Sequence, residues 1–103
     1  MRRGIGPLFE RLAREWIGAT RFLSSVSQIT AHPSYKEIIS LGRPAIPLIL
    51  RELEKETAFA WFNALHSITG ENPVPEKYAG CFHIMKGFWL HWAVCNGIKW
   101  RKQ

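Results

Sequence analysis

Between its prolines and glycines this chain repeats apolar residues at three- and four-residue spacing, and nowhere does it alternate convincingly with period two. That pattern confines it to short α-helices packed on one another, since only the 3.6 period gathers such residues on one face. Pro7 suits the first turn of a helix whose apolar stripe runs through Leu8, Phe9, Leu12, Trp16, Ile17 and Phe22/Leu23. Gly18 weakens the middle of this helix without ending it. Ser25 and Gln28 have capping-box spacing and open a short helix that stops before His32-Pro33. Ser34 and Glu37 form a second box, the Ser34 hydroxyl accepting from the Glu37 N–H. The helix they open carries Ile38, Ile39 and Leu41 and stops at Gly42, placed as a left-handed C-cap.

Pro44 and Pro47 fit a first helical turn, where backbone N–H groups lack partners anyway. The helix behind them turns Ile46, Ile49, Leu50 and Leu53 to one side and Arg51, Glu52, Glu54, Lys55 and Glu56 to water. Thr57 caps the next helix, whose buried face is Ala58, Trp61, Phe62, Leu65 and Ile68 and whose end is Gly70. Glu71–Glu76 holds two prolines and no period, and is a loop. The last helix spans about Gly80 to Asn96-Gly97. Its core stripe, Cys81, Ile84, Met85, Phe88, Trp92 and Cys95, falls within ~100° and leaves a second apolar strip of Leu90, Ala93 and Val94. The expectation is an all-α, compact bundle of five or six short helices. Residues 1–103 form one domain with mobile basic tails at 1–6 and 99–103.

Composition narrows what such a bundle does. Thirteen aromatics, five of them Trp, supply much of the burial in a 103-residue chain. No stretch approaches a membrane span, and Met1–Pro7 has no apolar region behind its charges, so no signal peptide and a cytoplasmic location are expected. Cys81 and Cys95 make no disulfide scaffold; fourteen residues of helix separate them by about 21 Å, and both are expected as buried thiols. The formal charge of +6 is uneven: residues 1–21 carry +3, residues 22–76 carry −2 and residues 77–103 carry +5. Basic ends of this kind suit nucleic acid, an anionic surface or an acidic protein.

The stretch from Leu41 to Leu53, Leu-Gly-Arg-Pro-Ala-Ile-Pro-Leu-Ile-Leu-Arg-Glu-Leu, followed by Trp61, Ala64-Leu65 and Ile68-Thr69-Gly70, resembles one HEAT-type helix pair. More widely, the chain resembles a set of small uncharacterised bacterial helical proteins. The resemblance rests on His32-Pro33-x-Tyr35, Ile38-Ile39-x-x-Gly42, the Ala-x-Pro helix, Trp61-Phe62, Ile68-Thr69-Gly70-x-Asn72-Pro73-Val74 and Trp89-x-x-Trp92. It covers about Trp16 to Gly97 and departs near Cys81–Gly87, where more polar residues are usual. It implies the helical fold and, by analogy with HEAT-type folds, binding of proteins or nucleic acid through helix faces.

No constellation reads as an active site, and the chain is expected not to be an enzyme. His66 and Ser67 diverge by about 100° on a helix, the eight acids are all Glu and mostly solvated, and no glycine-rich phosphate loop is present. Cys81, His83, His91 and Cys95 are metal-ligand types, but Cys-x-His lacks the usual spacing, so neither metal nor cofactor is expected. His32-Pro33-x-Tyr35 reads as a structural turn.

The expected function is a non-enzymatic interaction module that binds a protein partner through Leu90, Val94, Trp89 and Trp100, with a homodimer as one form. Its size and charge suit an antitoxin, an immunity protein or a counter-defence inhibitor of the anti-CRISPR kind. The alternative is nucleic-acid binding, with Arg11, Arg14, Arg21, Lys99, Arg101 and Lys102 on phosphates and Trp100 stacked on a base.

Overall fold

In a computed structural model that describes residues 5–23, 25–55 and 58–100, the chain forms six α-helices and, among those residues, no strand. They are α1 (Gly6–Thr20), α2 (Val26–Thr30), α3 (Pro33–Ser40), α4 (Ile46–Lys55), α5 (Trp61–Thr69) and α6 (Phe82–Cys95), with 3₁₀ turns at Arg43–Ala45 and Glu76–Tyr78. The expected class and number of helices are met. No described helix is long and apolar enough to cross a membrane.

Proline and glycine punctuate the chain as their backbone preferences require. Pro7, Pro33 and Pro44 lie in the first turns of α1, α3 and the first 3₁₀ segment. Gly42 takes φ +78° and ψ −154°, a region open to glycine alone, and so turns the chain from α3 into α4. Gly70 ends α5 in the left-handed conformation, its N–H donating to the His66 carbonyl at 2.8 Å.

Both serine capping boxes are corrected. Pro33 brings φ already suited to a first helical position, so α3 starts there, two residues earlier than the Ser34 box requires. His32 becomes the N-cap, its Nδ1 accepting from the Ser34 N–H at 3.1 Å. Ser34 is buried and its hydroxyl donates to Glu15 Oε1 at 3.1 Å, tying α3 to α1. Ser25 does sit at the N-cap of α2, but its hydroxyl meets Ser27 Oγ at 3.2 Å and caps no backbone group. Thr57 lies outside the described residues.

The core is one cluster centred on aromatics. The Trp16 ring lies 4.9 Å from Tyr35 and 4.9 Å from Trp61, and Phe9 lies 5.6 Å from Trp61. Helix α1 therefore packs on α3, α3 on α5, α5 on α4 and α4 on α6. The molecule measures 37 × 36 × 22 Å, about two helix diameters in its thin direction.

The connection from α5 to α6 is held by its own polar side chains. Thr69 Oγ1 accepts from the Glu71 N–H at 3.0 Å, and Asn72 Oδ1 accepts from the Val74 N–H at 3.2 Å. Trp92 Nε1 donates to Glu71 Oε1 at 3.0 Å, fastening the loop to α6. The Ile68–Val74 motif is thus a tied connector.

Helix α6 is rotated from the expected register. Trp89, Trp92 and Ala93 are its buried residues, whereas Cys81, Ile84 and Cys95 are exposed. The buried arc is shifted by ~80° around the helix axis from the stripe read off the sequence. This helix is apolar almost all round, so periodicity alone chooses no face. Packing then favours the indole rings, each of which removes more area from water than a thiol does.

Candidate interaction surfaces

Exposed apolar side chains gather where α1 gives way to α2 beside the chain entering α5. Phe22 is 90% exposed, Val26 62%, Phe59 47% and Leu23 40%. Leu23, Val26 and Phe59 line a groove of about 440 Å³ between the end of α1, helix α2 and Ala58–Asn63, while Phe22 stands outside its lining. Its walls are fixed from below. Thr20 Oγ1 donates to the Trp16 carbonyl at 2.7 Å, and the Leu23 N–H donates to the Thr20 carbonyl at 2.9 Å, which turns the chain out of α1. Trp16 Nε1 donates to the Ile29 carbonyl at 2.8 Å and holds α2 against α1. On the other wall the Tyr35 hydroxyl donates to the Ala60 carbonyl at 2.8 Å. Arg21 stands at the lip with its guanidinium 5.4 Å from the Phe22 ring centroid.

This groove escaped the sequence reading, because Phe22 and Leu23 extend the apolar stripe of α1 in register. The helix stops at Thr20, where the threonine hydroxyl bonds back to the Trp16 carbonyl, and the two side chains fall outside it. Thr20-Arg21 ahead of the Ser24-Ser25 pair was the available signal.

The residues expected to bind a partner are divided by the fold. Val94 is 64% exposed and Leu90 is half-buried, but Trp89 is 1% and Trp100 7% exposed. Those two tryptophans are corrected from contact residues to core residues. Trp100 packs against α4, its Nε1 donating to Glu54 Oε1 at 3.0 Å and its carbonyl accepting from Arg51 Nε. It is therefore buried away from any base it was expected to stack on. Within the stretch expected as a C-terminal tail, Trp100 is buried against α4 and Lys99 is exposed; residues 1–4 and 101–103 lie outside the described residues.

Arg11, Arg14, Arg21 and Lys99 are all exposed, while Arg101 and Lys102 lie outside the described residues. Glu10 and Glu15 share the exposed side of α1 with Arg11 and Arg14, and Arg14 also borders a depression with Glu52 and Lys55 of α4. The basic helix is thus charge-mixed along its length. A single-sign stripe, which would follow a phosphate backbone better, is not formed by these residues.

The remaining polar motifs have structural partners. His66 donates from Nδ1 to the Glu71 carbonyl at 2.9 Å, away from the diverging Ser67. Tyr35 is buried, and loss of water around its phenol raises its pKa well above the ordinary value near 10. Among the described residues no three His, Cys or Glu side chains gather as a metal site. Cys95 Sγ lies 3.4 Å from His91 Nε2 on the exposed side of α6.

No family of known proteins matches the chain, and neither does a curated protein or a solved structure.

Proposed function

We propose that the chain is a non-enzymatic interaction module that takes an acidic protein partner into the groove between α1, α2 and the entry to α5. The observation that carries this is the convergence of the exposed side chains Leu23, Val26 and Phe59 around one concave site, with Phe22, 90% exposed, next to it in the chain. Exposed apolar groups gathered at a pocket suit a partner's anchor residue, and fully burying one such side chain contributes roughly 1.5–3 kcal/mol. The charge of +6 and the Arg21 cation at the lip favour an acidic rim on the partner. The HEAT-type look of the α4–α5 pair agrees with binding through helix faces. Occlusion of a partner's surface, as an antitoxin, immunity protein or counter-defence inhibitor performs it, is the role that fits a module of this size.

The test is capture from the source cytosol with the wild-type chain, Val26→Glu and Phe59→Glu side by side. A stoichiometric acidic protein held by the wild type and lost by both variants is expected. A partner held equally by all three would overturn the assignment of the groove.

A second reading keeps support from the exposure of Arg11, Arg14, Arg21 and Lys99: nucleic-acid binding through phosphate contacts. Affinity for generic DNA or RNA would then fall steeply with salt, and Arg11→Gln with Arg14→Gln would reduce the slope by about 1 per contact removed. Absence of binding at low ionic strength disposes of it.

A further inference from the structure

The exposed face of α6 carries the groups that the core did not take. Around the helix axis His83, Ile84, Gly87, His91, Val94 and Cys95 follow one another within about 120°. None of these six bears a formal charge with histidine neutral, in a chain whose net charge is +6. Ile84 is 42% and Val94 64% exposed, and Gly87 has nothing within 4 Å of the place a Cβ would occupy. A depression of about 280 Å³ beside Gly87 reaches His91.

The His91–Cys95 pair has the geometry of half a metal site. A tetrahedral zinc ion with Zn–S about 2.3 Å and Zn–N about 2.0–2.1 Å holds its sulfur and nitrogen ligands about 3.5–3.6 Å apart. The observed Sγ···Nε2 separation is 3.4 Å, so both atoms already stand at the bite of such an ion. Their i, i+4 spacing on one helix sets that separation. Two positions of the tetrahedron stay open, and among the described residues no third ligand of this chain gathers there. A second copy supplies the same pair. A two-fold axis through the ion completes a Cys₂His₂ set and lays Ile84 and Val94 of each copy on the other, with Gly87 letting the backbones approach.

We propose that a thiophilic divalent cation, zinc in the first instance, joins two copies of this chain through His91 and Cys95 of each. The face is separate from the groove of the proposed protein partner, so the two readings stand or fall apart.

The experiment titrates the reduced, metal-free chain with Co²⁺ and Zn²⁺. Cobalt should bring thiolate charge-transfer absorption and the intense visible bands of a tetrahedral ion, with an end point at half an equivalent. Zinc should raise the mass in solution two-fold from 11.9 kDa. His91→Ala and Cys95→Ser, both at exposed positions, should lose both signals while Cys81→Ser keeps them; helical circular dichroism checks that each variant is folded. Val94→Arg leaves the ligands in place and puts like charges in the contact, and should hold the mass at that of one chain. An end point at one equivalent with no change in mass, a spectrum without thiolate bands, signals that survive Cys95→Ser, or a Val94→Arg chain that still doubles would each overturn the proposal.

Discussion

Buried beneath the groove, the Tyr35 phenol has one polar partner, the Ala60 carbonyl, and its ring lies tilted against Trp16. Its pKa is raised by desolvation, so the folded state keeps the proton that the unfolded chain releases near pH 10. The stabilisation is full below that pH and is lost as pH rises above it. Alkaline titration followed by circular dichroism should therefore show stability falling from about pH 10 upward. Tyr35→Phe should cost about 1 kcal/mol at neutral pH, from the lost hydrogen bond alone, since the Ala60 carbonyl keeps the Asn63 and Ala64 N–H groups, and should blunt the alkaline fall. A variant with the wild-type alkaline profile would refute this account. At this scale the sequence was legible for Tyr35, expected to pack, and illegible for Ser34 and His32. The capping role passes from Ser34 to His32 because the proline between them moves the helix start by two positions.

At the level of the element, α1 offers a clean test of backbone propensity. Gly18 lies inside the helix, is exposed, and has open space where a Cβ would stand. Gly18→Ala should stabilise the protein by about 0.5–1 kcal/mol, seen as a rise of several degrees in Tm. Gly42→Ala should do the reverse by at least ~1 kcal/mol, since its φ of +78° with ψ of −154° admits no side chain cheaply. In α4 and α5 the buried faces were legible in the main: Ile46, Ile49, Leu50 and Leu53, then Trp61, Phe62 and Leu65, are buried as their spacing required. Ala58 and Ile68, by contrast, are half-buried, and so are Arg51, Glu52 and Glu54, expected to face water, Arg51 and Glu54 against Trp100. Helix α6 was legible in extent but not in orientation. Its apolar residues surround the axis, and only packing against α4 chooses among them.

Across the whole molecule, Trp100 is built into a core most of whose members lie far from it in sequence. Trp100 reaches back to Arg51 and Glu54 of α4, a contact 46–49 residues away in sequence that no local pattern announces. Trp100→Ala should cost about 3–5 kcal/mol in denaturant unfolding, as large core truncations do, and a loss under 1 kcal/mol would show that the contact is superficial. The candidate groove was hidden for a related reason. It is made by what helix ends leave uncovered, and sequence periodicity describes the middles of helices. Helix α2, five residues long with none of them buried, forms one wall of that groove and is tethered by the Trp16 indole to the Ile29 carbonyl. Its amides should exchange with deuterium through local opening, well ahead of those of α4 and α5. If those amides do exchange first, the opening of α2, rather than diffusion to the surface, would set how fast an anchor residue enters the groove, and strengthening the Trp16–Ile29 bond would slow arrival and departure together.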